Sequence, residues 1–471
     1  MEGRNGRRGT FGRTVRALLM GSALSALSAL AASGAWAESL ADAFVQTYRN
    51  SPLLEQQRLL LRAVDEDVAV AVSALRPAIN GQAALSRTFN GGAAPNVTSA
   101  SLSLILDYTL LDGGQRLMRL GAAKEAVLAG RYRLIQQEQL LLLQAARAYL
   151  SLIQTIRNVD LRESNLRLLS EQLRAAEDRF EVGEVTRTDV TIAEARLAAA
   201  QSLLANARGQ VDIQRESYRL VTGVLPSGSL EPPPPSPELP PDVERAQAIA
   251  LQIHPTIIAA QHDVAAATLI ANAAEADRLP TIDFRSSVSS SRASGGDPSL
   301  TAGITGSVPI YNGGRLSALN RRAIANAQAA RAALEAEARS VVDGVGQAWA
   351  LLRIARAQII ASQQQVRSAQ LAFEGFREEA LLGARTTLDV LDAEQELLDA
   401  RTAALQAEID AQLAVYQVLA AMGLMTTDHL GLSVERYDPT DYHNQVANAP
   451  AVSPSPQGGR LDSVLRRFGR D

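Results

Sequence analysis

The sequence carries one pattern twice, and the doubling limits what the chain can fold into. Val182-Gly183-Glu184-Val185-Thr186-Arg187-Thr188-Asp189-Val190 and Leu382-Gly383-Ala384-Arg385-Thr386-Thr387-Leu388-Asp389-Val390 share Gly, Thr, Asp and Val at positions 200 apart. Each stretch lies between two proline-free, Ala/Leu-rich runs. The glycine permits the left-handed backbone that ends a helix. The threonine, with Asp three residues on, fits a capping box that starts the next one. Each stretch therefore reads as the tip of a helical hairpin.

The same order of elements precedes each tip. Residues 39–75 read as helix, broken at Asn50-Ser51-Pro52 and ended by Arg76-Pro77. The period then changes to two: Ile79, Gly81, Ala83 and Leu85 alternate with Asn80, Gln82, Ala84 and Ser86. After a Gly/Pro loop, Leu102, Leu104 and Leu106 alternate with Ser101, Ser103 and Asp107, which makes a β-hairpin over 79–108. From Gln115 to about Phe180 there is no proline, enough for a helix of about 100 Å. A second hairpin over 281–309 and a second long helix follow Leu279-Pro280. The chain thus divides into a leader, 1–37, a first repeat, 38–225, and a proline-rich extended connector, 226–241. A second repeat, 242–425, and a C-terminal segment, 426–471, complete it; the last reads as a largely disordered tail rich in Pro, Ser, Asn and Gly.

The leader has five arginines, an apolar run from Ala17 to Ala32 and an Ala35-Trp36-Ala37 cleavage site, so the mature chain is expected to begin at Glu38. At about 16 residues the run is shorter than the ~20 a membrane-spanning helix needs. Removing five arginines and one glutamate from totals of 46 basic and 50 acidic residues leaves 41 and 49, a net charge of −8. That balance argues against nucleic acid as a partner. There is no cysteine, hence no disulfide framework, thiol chemistry or N-terminal lipidation site. His254, His262, His429 and His443 lack metal-ligand spacing, and no phosphate loop or nucleophile motif appears, so no cofactor and no enzyme activity are expected.

Strands of about ten residues, apolar on one face and Ser/Thr/Asn-rich on the other, have the pattern of outer-membrane barrel strands. A soluble sheet with one buried face has the same pattern. Four strands cannot close a barrel, and lipid does not tolerate an open edge. Membrane strands would therefore require several chains per barrel: two give eight strands with a filled interior, three give twelve with room for an opening.

Over about 38–425 the chain resembles the TolC-type outer-membrane efflux proteins. The resemblance rests on Asn50-Ser51-Pro52, Arg179-Phe180-Glu181-Val182-Gly183, Tyr311-Asn312-Gly313-Gly314 and Thr386-Thr387-Leu388-Asp389-Val390-Leu391-Asp392-Ala393, in that order around two hairpins. It implies an α+β membrane protein: a homotrimer with a twelve-stranded β-barrel in outer-membrane lipid, continued by a long α-helical periplasmic tunnel closed at its inner end. It implies a passive exit duct for drug efflux or type I secretion, docked to a periplasmic adaptor and an inner-membrane transporter. The competing reading is a periplasmic coiled-coil scaffold or adaptor without a barrel.

The two copies differ where such a duct would be gated. Asp189 and Asp389 occur in both, and capping accounts for them. Asp392 and Arg385 correspond to Ile192 and Val185, so the shared hairpin does not require them. Asp389 and Asp392 are three apart on one helix face. The resemblance implies that they form an acidic ring at the tunnel entrance, with Arg385, Thr188 and Asp189 as tethers of the closed state. A tyrosine usual in that network is Ala380 here. Val182, Gly183, Leu382, Gly383 and Thr386 would form the adaptor-contact tips, for which plain turn chemistry is the alternative.

Overall fold

In a computed structural model, residues 37–89, 97–226, 229–291 and 297–449 are described. The first repeat gives α1 (Leu40–Asn50), α2 (Pro52–Ser73), β1 (Ala78–Thr88), β2 (Val97–Leu111), α3 (Gln115–Glu181) and α4 (Arg187–Thr222). The second gives α5 (Val243–Ile253), α6 (Pro255–Ala276), β3 (Thr281–Ser291), β4 (Pro298–Ser307), α7 (Arg315–Leu381) and α8 (Thr387–Ala421), before a short α9 (Pro439–Val446). The helices α3 and α7 have 67 residues each. Ser51 caps α2 and His254 caps α6, each followed by a proline in the first turn, where a missing N–H costs nothing.

The four strands form one antiparallel sheet in the order β1-β2-β3-β4. Its register separates the faces. Ile79 pairs with Leu106 and Ala83 with Leu102, Leu104 stands between Gly81 and Val288, and Phe284 lies between Tyr108 and Ile304. On the other face Ser86 faces Ser99, with hydroxyls 2.7 Å apart, Ser289 faces Ser299, and Arg285 meets Asp107 at 3.1 Å. The single chain leaves the apolar face bare: Leu85, Leu102, Leu300 and Ile304 are all about two-thirds exposed or more. β1 and β4 are the outer strands, so each has one edge without a partner in this sheet.

Sheet and helices meet at a knot of hydrogen bonds. The Asp112 carboxylate accepts from the amides of Gly114 and Arg116 and from Arg116 Nε at 2.7 Å. The same guanidinium donates to the carbonyls of Ala74 and Thr109, joining the end of α2, the end of β2 and the start of α3. Gly113 sits at φ +65°, where a side chain would be strained, and a Cβ there would lie 2.6 Å from a methyl of Leu279. The first turn of α3 is thereby tied to the end of β2.

The largest core lies midway along the helices, around Tyr149, Tyr218, Leu150, Leu152 and Leu419. Both tyrosines hold the segment at Glu38. Tyr149 Oη sits within hydrogen-bonding distance of the Glu38 and Glu231 carbonyls, and Tyr218 Oη donates to the Glu38 carboxylate. Glu38 forms an isolated parallel bridge with Leu230, and Gln412 donates to the Pro234 carbonyl, so the connector runs extended across the helices.

The C-terminal segment departs from the expected tail. Up to Ala449 it packs on α2 as a strap. Tyr437 lies between Arg58 and Arg62, 5.2 and 5.8 Å from their guanidinium carbons, and Tyr442 continues the stack. Tyr442 Oη donates to Glu66, His443 Nδ1 lies 2.8 Å from the fully buried Asp65, and Arg76 donates to the carbonyls of Asn448 and Ala449. These contacts come from aromatic and arginine side chains without helical or strand periodicity, which is why the segment reads as unpatterned. Residues 450–471 lie outside the described residues, as do 1–36, 90–96, 227–228 and 292–296.

Tyr437→Ala should loosen the strap by about 2 kcal/mol, from lost burial and two cation–π contacts. Limited proteolysis should then cut between 432 and 449 faster than in the parent, whereas Tyr437→Phe should change little. Equal resistance of Tyr437→Ala and parent would show that the arginines do not hold the strap.

Candidate functional site: the paired helix tips

The two tips have the same backbone. Gly183 and Gly383 adopt φ +81° and +77°. Gly183 N donates to the Phe180 carbonyl and Glu184 N to that of Arg179; Gly383 N and Ala384 N do the same to Ala380 and Glu379. These bonds close the last turns of α3 and α7. Thr186 and Thr386 then open α4 and α8 with reciprocal capping boxes. Thr186 N donates to Asp189 Oδ2 at 2.9 Å and Asp189 N to Thr186 Oγ1 at 3.3 Å; the Thr386 and Asp389 distances are 2.9 and 3.2 Å.

Capping acts on both aspartates. The hydroxyl and amide of Thr186 hold the Asp189 carboxyl below its ordinary range; for Asp389 the Thr386 amide, then its hydroxyl, do the same. Both are therefore ionised at neutral pH. Val182 and Leu382 stand 71% and 85% exposed at the apices, the apolar part of an otherwise polar tip.

Of the remaining expected site residues, Arg385 and Asp392 have partners within the chain. Arg385 Nε donates to Glu379 Oε2 at 2.8 Å, and its guanidinium lies 4.6 Å from the Phe376 ring centre. It is bonded to neither Thr188 nor Asp189; Thr188 is exposed. Asp392 accepts from Arg196 of α4 at 2.7 Å, so this carboxylate is not a bare charge.

Two functional candidates escaped the sequence reading. Arg196 had a faint signal: it lies one turn after Ile192, the counterpart of Asp392. Glu394 had none, since its counterpart Glu194 is exposed while Glu394 is only 3% exposed. Glu394 Oε1 accepts from Asn165 of α3 at 2.7 Å, and Oε2 has no protein partner. Burial pushes its carboxyl up to about 7. Thus α8 is joined to the first repeat by an exposed ion pair and a buried carboxyl two residues apart. No group of residues with metal-ligand geometry occurs among the described residues. The tips offer charge, apolar apices and helix-to-helix clasps rather than reacting groups.

Comparison with known proteins agrees with this arrangement. The profile of the family described as "Outer membrane efflux protein" matches residues 44–224 and 248–424, one span in each repeat. The outer membrane efflux protein BepC of Brucella suis is 37% identical over 439 residues, covering 91% of this chain and 93% of BepC. The outer membrane protein TolC of Vibrio cholerae is 26% identical over 435 residues, covering 87% and 95%. Among solved structures, CusC superposes with a TM-score of 0.73 at 22% identity, over 82% of this chain and 92% of that one, which shows a shared fold. With two matched spans that cover most of its length and a relative of this similarity, the chain belongs to the outer membrane efflux protein family, of the TolC type.

Proposed function

We propose that three copies of this chain form an exit duct in the outer membrane, fed from the periplasmic side. The observation that carries this reading is the sheet. Its apolar face is bare, its polar face is hydroxyl-rich, and its two outer edges have no partner within it. Backbone groups at an open edge cannot be left unpaired in lipid, so β4 of one copy pairs with β1 of the next. Twelve strands then leave a polar interior. Helices α3 and α7 continue from the sheet for about 100 Å as the wall of a tunnel. No helix among the described residues is long and apolar enough to cross a membrane. A scaffold without a barrel has no use for four strands of this kind. The leader, 1–37, routes the chain for export and is removed.

The tips form the inner end of this duct. Asp389 and Asp392 of three copies line the entrance, while Val182, Gly183, Leu382, Gly383 and Thr386 present the surface for a periplasmic adaptor that couples the duct to an inner-membrane transporter. Arg385 acts through Glu379 and Phe376 of its own hairpin, with Thr188 and Asp189 on the facing tip. The duct itself holds no cofactor and performs no chemistry; the choice between drug and protein cargo belongs to the transporter.

The absence of native cysteine allows single-cysteine labelling without a background. Fluorophores at Leu102 and Leu104 should be quenched by brominated lipid, and those at Ser101 and Ser103 should not. Equal quenching at all four positions would mean that the sheet is not a barrel wall.

The entrance makes a separate prediction. Divalent or trivalent cations added on the tip side should block single-channel current in planar bilayers, because a ring of like carboxylates concentrates negative potential. Asp389→Asn keeps the cap acceptor but loses the charge, and should relieve more of the block than Asp392→Asn, since Arg196 already partners Asp392. Full block in the double variant would remove these residues from the constriction.

A further inference from the structure

The side chain of Glu394 is the least explained polar group near the tips. It is 3% exposed, lies among apolar residues, and makes one hydrogen bond, to Asn165. Its second oxygen is buried without a partner. The repeat shows that this burial is not a requirement of the hairpin, because Glu194 occupies the matching place on α4 and is exposed. A carboxyl that could face water is instead set between hairpins. Deprotonated, it is costly there, since one amide does not replace the hydration of a carboxylate. Protonated, it is tolerated.

Its surroundings leave little else to stabilise the anion. On α7, Phe373, Ala369 and Val366 form an apolar cluster with Val390, Ala393 and Leu397, which flank Glu394 along α8. On α3, Glu163 is taken by Arg208 at 2.8 Å. From α4, Arg196 is committed to Asp392. Arg162 and Arg167 on α3, Arg367 and Glu374 on α7 and Glu396 on α8 are the other charges within about a turn along these helices; Arg167 donates to Ser164 and Glu374 accepts from Gln370. Burial raises the Glu394 pKa and the Asn165 hydrogen bond opposes it.

We infer that Glu394 is a positioning residue for the entrance, a buried carboxyl that clasps α8 to α3 and lets go when it loses its proton. The inference rests on the duct reading and names a control of its inner end. Arg196–Asp392 is the companion clasp, an ion pair between two exposed side chains.

The sign of the effect follows from linkage. The carboxyl titrates near 7 when packed and near the ordinary ~4.3 when released to water. Below about 4.3 both states are protonated and the clasp is at full strength. Between these values the released state alone ionises, and the clasp weakens as pH rises. Above about 7 both are ionised and the loss is complete. Each unit between the two values is worth about tenfold in the opening equilibrium.

The test is hydrogen exchange on the full chain in detergent, corrected for intrinsic pH dependence, followed over 160–170 and 390–400. In the parent, protection should fall by about tenfold or more between pH 5 and pH 8. Glu394→Gln, which preserves shape and an acceptor for Asn165, should be protected and flat over that range. Arg196→Ala should lower protection at every pH and keep the step. Asn165→Ala should move the step to higher pH, because the anion loses its only donor, and this stands if Glu394→Gln fails to fold. A flat parent profile, a step retained in Glu394→Gln, or a midpoint unmoved in Asn165→Ala would overturn the inference. Single-channel conductance of the parent should rise over the same pH interval. A chain that shows the exchange step but conducts no current would refute the duct and leave the clasp standing.

Discussion

A strand at the rim of a sheet has a row of amides and carbonyls that must find partners, and in a bilayer water cannot supply them. β1 and β4 have such rims, and their sheet has an apolar face that nothing in the single chain covers. The rest of the architecture depends on meeting those two demands together. In the proposed duct, lipid answers the second and further copies of the same sheet answer the first. The Arg116 knot then carries the geometry downward, because it ties both ends of a hairpin to the first turn of a helix about 100 Å long. In the proposed trimer, ring closure among the strands would set the ring of helices beneath them.

Much of this was legible in the sequence. A period of two beside a period near 3.6, bounded by Pro and Gly-Gly, located the hairpins and the long helices. Capping boxes at Thr186 and Thr386 were readable because they are local: their donors and acceptors lie within three residues. The strap was not. Tyr437 and Tyr442 are held by Arg58 and Arg62 from the other end of the chain, and no periodicity announces a stack of rings and guanidinium groups. Nor could the sequence tell Glu394 from Glu194, identical residues in matching positions with opposite surroundings. Tertiary packing against Asn165 separates them.

Asp392 was read as an added negative charge, and the geometry gives it a counter-ion from the other repeat. The divergence between copies therefore builds contacts between hairpins as well as an acidic face. Arg385 turns back onto Glu379 and Phe376 of its own hairpin. With alanine at 380, polar hold between the repeats near the tips falls to Arg196–Asp392 and Asn165–Glu394.

Stoichiometry tests the central claim most directly. Native mass spectrometry of the protein released from outer-membrane detergent extracts should give a single assembly of three chains, twelve strands in all. A stable dimer, whose eight strands would leave no opening, or a monomer that remains folded without detergent would contradict the account.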